Sequence, residues 1–196
     1  MRQYLNLLYL IILFQSISCK KTNPTNNVHT EADKKWTVTT IAGDGNPIFG
    51  DGAALLAHFR TPLDVAVTAG GEIYVADALN HRIRKIFNGQ VSTVAGFDRQ
   101  DTSSGTGTAA GFAHPIQIVP DIAGNLYTLD INDFRVRKIS PAGLVTVAAG
   151  SGIRGFANGA RDVAQFGECS GIVADGFGNI FLTDYDNLRV RKISAS

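Results

Sequence analysis

The sequence predicts an all-β fold made of one supersecondary unit written three times. The stretches Asp77 to Ile86, Asp130 to Ile139 and Asp184 to Ile193 align without a gap, at spacings of 53 and 54 residues. The same spacings recur upstream, in Gly43, Gly96 and Gly150, in Gly52, Gly105 and Gly159, and in Phe59, Phe112 and Phe166. Self-similarity at a fixed period marks a repeat architecture and outweighs local propensity. Within each copy, short runs rich in β-branched and aromatic residues alternate with turn residues, the pattern of strands rather than helices.

The first copy reads as four strands. Leu63 to Thr68, Glu72 to Ala76 and Arg82 to Ile86 are joined by turns at residues 69–71 and 78–80, and Asn88 with Gly89 leads into a fourth strand, Val91 to Ala95. The three units fall near 63–95, 116–148 and 171–193. Several strands are apolar on both faces, which a sheet with one wet face does not need. Radial stacking of small sheets supplies that double burial, so each copy reads as a four-stranded β-propeller blade.

The pattern V-x-T-x-A-G, a glycine-rich stretch, A-x-F-x-x-P and then G-x-I-Y-V-A-D-x-x-N-H-R-I-R-K-I closely resembles the NHL repeat, with Asn80, His81 and Arg82 at the triplet that names it. The resemblance runs from Trp36 to Ile193. It implies an NHL-type propeller, a family that usually closes with six blades, of which three copies are half. The copies depart from the pattern in places. The triplet becomes Asp133-Phe134-Arg135 and Asn187-Leu188-Arg189, and Cys169 stands where Pro62 and Pro115 stand. The glycine usual two places after that proline is kept as Gly171 but becomes Asp64 and Gln117.

Order along the chain carries a further expectation. Residues 36–43 match the fourth strand of a blade, yet no blade precedes them, and the last copy stops after its third strand. In a closed ring the opening segment would serve as the closing strand of the last blade, leaving no sheet edge exposed. The expected partner is therefore a second copy in a homodimer, or another propeller half.

Composition bounds the function. With 18 basic and 17 acidic residues, the 196-residue chain exerts no global pull on nucleic acid, and no nucleic-acid partner is expected. Half of the basic residues sit in the three Arg-x-Arg-Lys segments. Arg82, Arg135 and Arg189 there are expected to pair with Asp77, Asp130 and Asp184 as a repeated structural feature.

The first 35 residues differ in kind. A basic start and an apolar run from Tyr4 to Phe14 end in Ser16-Ile17-Ser18-Cys19, too short for a bilayer span and of the length of a secretory signal. The cysteine at its end resembles a bacterial lipoprotein signal. Residues 1–18 are then a signal peptide and Cys19 the lipidated first residue, with ordinary cleavage or an uncleaved anchor as alternatives. Residues 19–35 read as a flexible polar tether and 36–196 as the propeller array. This places the protein in the bacterial cell envelope, held to a membrane by its lipid as a periplasmic or outer-membrane lipoprotein. Cys169 is left alone, a small buried residue rather than a nucleophile.

No catalytic or metal-ligand motif is present. The four histidines show no ligand spacing, and the glycine-rich stretches lack the helix and lysine of a phosphate loop. A binding face can be placed by topology, because the segment entering each first strand and the turn between second and third strands share one rim. That gathers His58, Arg60, Asp64, His81, His114, Gln117, Phe134 and Glu168 as loop side chains on a rigid scaffold. The expected function is an envelope-anchored binding module for a protein, peptide or glycan, without a cofactor. The alternative is a metal-dependent propeller enzyme of lactonase or lyase type, with calcium or zinc at the channel mouth.

Overall fold

The repeated β-branched runs become three antiparallel sheets. The computed structural model of the chain describes residues 35–195. The first sheet contains β1 (Gly52–Ala53), β2 (Pro62–Val67), β3 (Ile73–Asp77), β4 (Arg82–Phe87) and β5 (Gln90–Gly96) in the order β1-β5-β4-β3-β2. The second contains β6 (Gly105–Thr106), β7 (Pro115–Pro120), β8 (Leu126–Asp130), β9 (Arg135–Ile139) and β10 (Leu144–Ala149) in the same order. The third has only β11 (Cys169–Ala174), β12 (Ile180–Asp184) and β13 (Arg189–Ile193). These are propeller blades, each a meander, and all three sheets belong to the compact unit that begins at Thr39.

Two details correct the four-strand expectation. Each complete blade carries a fifth, two-residue strand at its outer edge, where the glycine-rich loop doubles back to pair Gly52 with Val91 and Gly105 with Val145. The repeated Gly52 and Gly105 are therefore ladder members as well as loop punctuation. Residues 35–41 form no strand among the described residues. The signal, tether and lipidation expectations fall outside the described residues apart from Lys35.

Register explains the repeated glycine at the end of each fourth strand. β4 and β5 pair Arg82 with Gly96 across a bulge, and β9 and β10 pair with a similar shift. Gly96 and Gly150 have φ of +97° and +107°, and a Cβ there would run into the backbone carbonyls of His81 and Phe134. Only glycine meets both demands.

The core lies between blades rather than within them. Phe112 sits in a cluster with Ala66, Ala76 and Ile83 of the first blade and Ile118, Leu126, Ile139 and Val145 of the second. Phe166 holds the same place between the second and third blades. Phe59 has no blade before it among the described residues and is half-buried. The repeat offset thus identified interface residues, as expected, with the end copy the exception that the geometry requires. Phe112→Ala is expected to cost about 3–5 kcal/mol, the range for a buried aromatic, while Phe59→Ala costs clearly less; urea titration of the two variants measures the difference.

Candidate functional site

The two sets of loops that topology assigns to one rim are tied together by backbone bonds. The N–H of Leu79 donates to Arg60 O at 3.1 Å, that of Ile131 to His114 O at 3.2 Å and that of Tyr185 to Glu168 O at 2.9 Å. The last residue of each second strand reinforces this. Asp77 Oδ1 accepts the Arg60 N–H at 2.7 Å, Asp130 accepts the N–H groups of Ala113 and His114 at 2.8 and 2.5 Å, and Asp184 Oδ1 accepts that of Gly167 at 3.0 Å.

The arginine partner of that aspartate differs from the one expected. Arg84 Nη1 donates to Asp77 Oδ2 at 2.8 Å and Arg191 Nη1 to Asp184 Oδ2 at 2.8 Å, while Arg137 Nη1 lies 3.9 Å from Asp130. Arg82 instead lies over the Phe49 ring and donates to Asn80 O, Arg189 does the same over Phe156 with Asn187 O, and Arg135 pairs with Asp133. The reason is position. Each aspartate points at the incoming loop, and the arginine one pleat further along the strand reaches it together with that loop's carbonyls.

The predicted rim residues divide by what they already do. Asp64 Oδ2 accepts the Ile118 N–H at 2.8 Å, a bond between the innermost strands of neighbouring blades. His81 Nδ1 lies 2.9 Å from Ala113 O and His58 Nδ1 2.7 Å from Asp44 Oδ1. Gln117 is half-buried at the bulge that matches Asp64. His81 and His114 come together, and burial first and His81 second hold the His114 imidazole below its usual value. Phe134 is half-buried with φ +51°, and His81 and Leu188 share that left-handed turn at +53° and +52°. Arg60 and Glu168 are exposed.

Sequence reasoning placed Glu168 on the rim but missed the residues around it. Arg154 donates to Asp186 Oδ2 at 2.8 Å, with Glu168 Oε1 4.0 Å away, and Asp186 also accepts the Glu168 N–H at 2.8 Å. Beside them on the same turn stand Tyr185, 68% exposed, and Leu188, 90% exposed. These residues break the repeat, and that divergence was their one available signal. Cys169 is buried, and burial first and Asp184 second push its thiol up to about 12, so it stays protonated. Among the described residues no three histidine, cysteine, aspartate or glutamate groups are placed to hold a metal ion, and the three repeated aspartates already accept backbone N–H groups.

Similarity to known proteins agrees with this architecture. Residues 59–86 are an NHL repeat. The chain is similar to an auxiliary nutrient binding protein from Bacteroides thetaiotaomicron VPI-5482, with 25% identity and a TM-score of 0.61 over 66% of this chain and 36% of that one. A second auxiliary nutrient binding protein, from Bacteroides ovatus ATCC 8483, shows 26% identity and a TM-score of 0.59 over 70% and 37%. It is also 27% identical over 133 residues to the chloroplastic protein SUPPRESSOR OF QUENCHING 1 of Arabidopsis thaliana, covering 62% of this chain and 13% of that protein. The chain thus spans roughly a third of the solved structures and a small part of the plant protein.

The middle blade of the repeat carries a second carboxylate. Asp133 stands where Asn80 and Asn187 donate to their aspartates at 2.8 and 2.9 Å. Burial first, and the like charge of Asp133 among the smaller causes, raise the Asp130 carboxyl to about 6 against the pull of Arg137. A raised carboxyl adds stability that is full below pH 4 and is lost as pH climbs through about 6. Asp133→Asn removes the like charge and supplies a donor, so the loss of stability between pH 4 and 7 is expected to be smaller in the variant than in the wild type. Melting temperatures of both chains across that window, with the Asp130 carboxyl followed by NMR, check the sign.

Proposed function

We propose that this NHL-repeat chain is a binding module of the bacterial cell envelope, anchored through Cys19 and presenting its rim to a protein, peptide or glycan. The observation that carries the reading is divergence on an invariant frame. The aspartate and arginine that hold the loop recur in each copy, as Asp77 with Arg84, Asp130 with Arg137 and Asp184 with Arg191, whereas the turn beside them reads Ala78-Leu79-Asn80-His81, Ile131-Asn132-Asp133-Phe134 and Tyr185-Asp186-Asn187-Leu188. Variable loops on a rigid scaffold are how repeat folds present specific contacts. The similarity to two auxiliary nutrient binding proteins supports the same class.

The third blade offers the best anchor. An exposed tyrosine beside an exposed leucine gives a ligand apolar contact, and the Arg154–Asp186 pair gives it directional hydrogen bonds. The wild-type chain is expected to retain ligands on a mixed array of oligosaccharides and peptides. Tyr185→Ala is expected to weaken the retained ligand about tenfold or more, as for an aromatic hot spot. An array without any ligand, or binding indifferent to Tyr185, counts against the rim. The metal-enzyme alternative is separated by elemental analysis, where stoichiometric calcium or zinc in the purified chain would favour it.

The anchoring part has its own experiment. Cys19→Ala is expected to move the protein from the membrane fraction to the soluble fraction and to abolish palmitate labelling. A wild-type chain that fractionates as soluble removes the lipid anchor from the proposal and leaves the binding rim standing.

A further inference from the structure

We infer that the outer edge of the second blade binds a carboxylate, at the position where the first blade carries the carboxylate of its own Asp51. The bound group stands beside Ser104, between the buried Arg137 and the fourth strand. The inference is independent of any ligand at the rim, and every residue of the site lies inside the array, between 104 and 162.

The first blade shows what such a group does. Asp51 Oδ1 accepts from Arg84 Nε at 3.1 Å and Nη2 at 2.5 Å, while Oδ2 accepts from the Thr93 N–H at 3.1 Å and the Thr93 hydroxyl at 2.9 Å. One carboxylate thus joins the guanidinium to β5 with charge-assisted bonds on both oxygens. The third blade keeps an amide oxygen there, with Arg191 Nη2 donating to Asn158 Oδ1 at 3.0 Å.

The second blade keeps the frame and changes both ends of that bridge. Arg137 is placed as Arg84 is. Its Nη2 donates to Ser103 O as Arg84 Nη2 does to Gly50 O, and its Nη1 to Gly111 O as Arg84 Nη1 does to His58 O. Both acceptors lie 53 residues after their counterparts, so Arg137 Nε faces the residue 53 places after Asp51, which is Ser104. Across the ladder from Arg137 stands Val147, where Thr93 stands across from Arg84. An aspartate and a threonine are replaced by a serine and a valine, and Arg137 Nε is buried without a partner. A buried charged donor without an acceptor carries its full desolvation penalty, so an acceptor brought to it is favoured.

A cavity of about 430 Å³ lies at this point, and its walls include Ser104, Arg135, Val147, Ser151, Arg161 and Asp162. Ser104 and Val147 are the two changed positions. Arg135 is held by Asp133 and by Ser151 O, whereas Arg161 is exposed and stands in no ion pair among the described residues. Two guanidinium groups and the serine hydroxyls, set against the single carboxylate of Asp162, suit an anion, and the planar fork of arginine matches the two oxygens of a carboxylate. Asp133 meets Arg137 only at Nη1, 3.5 Å away, and does not serve Nε. The Arg137 side chain has no exposure, so the entering group reaches Nε past the exposed Ser104. A small organic acid and an aspartate or glutamate side chain of a peptide carry the same group.

Acetate and a blocked Ala-Asp-Ala peptide test the site on the full chain, in buffer free of other carboxylates and at ionic strength fixed with chloride. Saturable shifts of the Arg137 Nε–H resonance and a higher melting temperature are expected with at least one probe, and neither with chloride alone. Acetate bound as tightly as the peptide assigns the site to a small organic acid, and a peptide bound at least about tenfold more tightly assigns it to an acidic segment. Ser104→Asp supplies the carboxylate from the chain itself. It is expected to shift the Arg137 Nε–H resonance without any probe and to weaken the bound probe at least about tenfold. Arg161→Ala, at an exposed position, is expected to weaken the same probe several-fold while leaving the melting temperature of the free chain unchanged. No saturable shift with either probe, a shift that chloride reproduces, or undiminished binding in Ser104→Asp or Arg161→Ala overturns the proposal.

Discussion

Everything on the rim depends on one buried arginine in each blade. The Arg84 side chain has no exposure, yet each of its five N–H donors finds an acceptor: Nε and Nη2 reach Asp51, Nη1 reaches Asp77 and His58 O, and Nη2 also reaches Gly50 O. Arg191 repeats the arrangement with Asp184, Asn158 and the carbonyls of Gln165 and Ala157. A buried ion pair is costly unless its remaining hydrogen bonds are filled. Here they are filled by the very loop that must be held over the sheet. The guanidinium therefore does two things at once, satisfying its own desolvation and fixing the segment that carries the rim.

The middle blade shows what happens when one contributor changes. Ser104 occupies the position of Asp51 and Asn158, and Arg137 Nε has no hydrogen-bond partner, nor have Thr128 Oγ1 and Asp133 Oδ2. Asp133, in place of asparagine, returns the missing carboxylate from the opposite side, 3.5 Å from Arg137 Nη1. The clamp keeps its charge balance while its geometry loosens. Its cost appears in the raised carboxyls of Asp130 and Asp133, both driven first by burial. One copy of a repeat can thus become pH-sensitive through two substitutions that leave its strands unchanged.

Legibility in the sequence followed periodicity. Strand positions, the shared rim and the interface phenylalanines could be read because each is written three times, and chance does not preserve three offsets. The identity of the pairing arginine could not be read, since Arg82 and Arg84 lie on the same face of β4 and recur equally. Only the direction of the Asp77 carboxylate toward the incoming loop separates them. The sequence places Asp64 among the rim side chains, but its carboxylate is spent on the Ile118 N–H. The short edge strands at Gly52 and Gly105 escaped because glycine in a loop carries no strand propensity, and their pairing follows from the closing bend of the loop.

The same distinction orders the rim itself. Polar residues near the first two blades, His58, Asp64 and His81, are engaged with Asp44, Ile118 and Ala113, so they hold loops and couple blades. Around the third blade, Tyr185 and Leu188 are exposed, and Arg154 and Glu168 are more than half exposed while still oriented by Asp186. Pre-orientation lowers the entropy lost when a ligand is met, and exposure leaves contact area to lose. Recognition concentrates where a repeat has stopped repeating, because there the frame still fixes the backbone and no longer dictates the side chain.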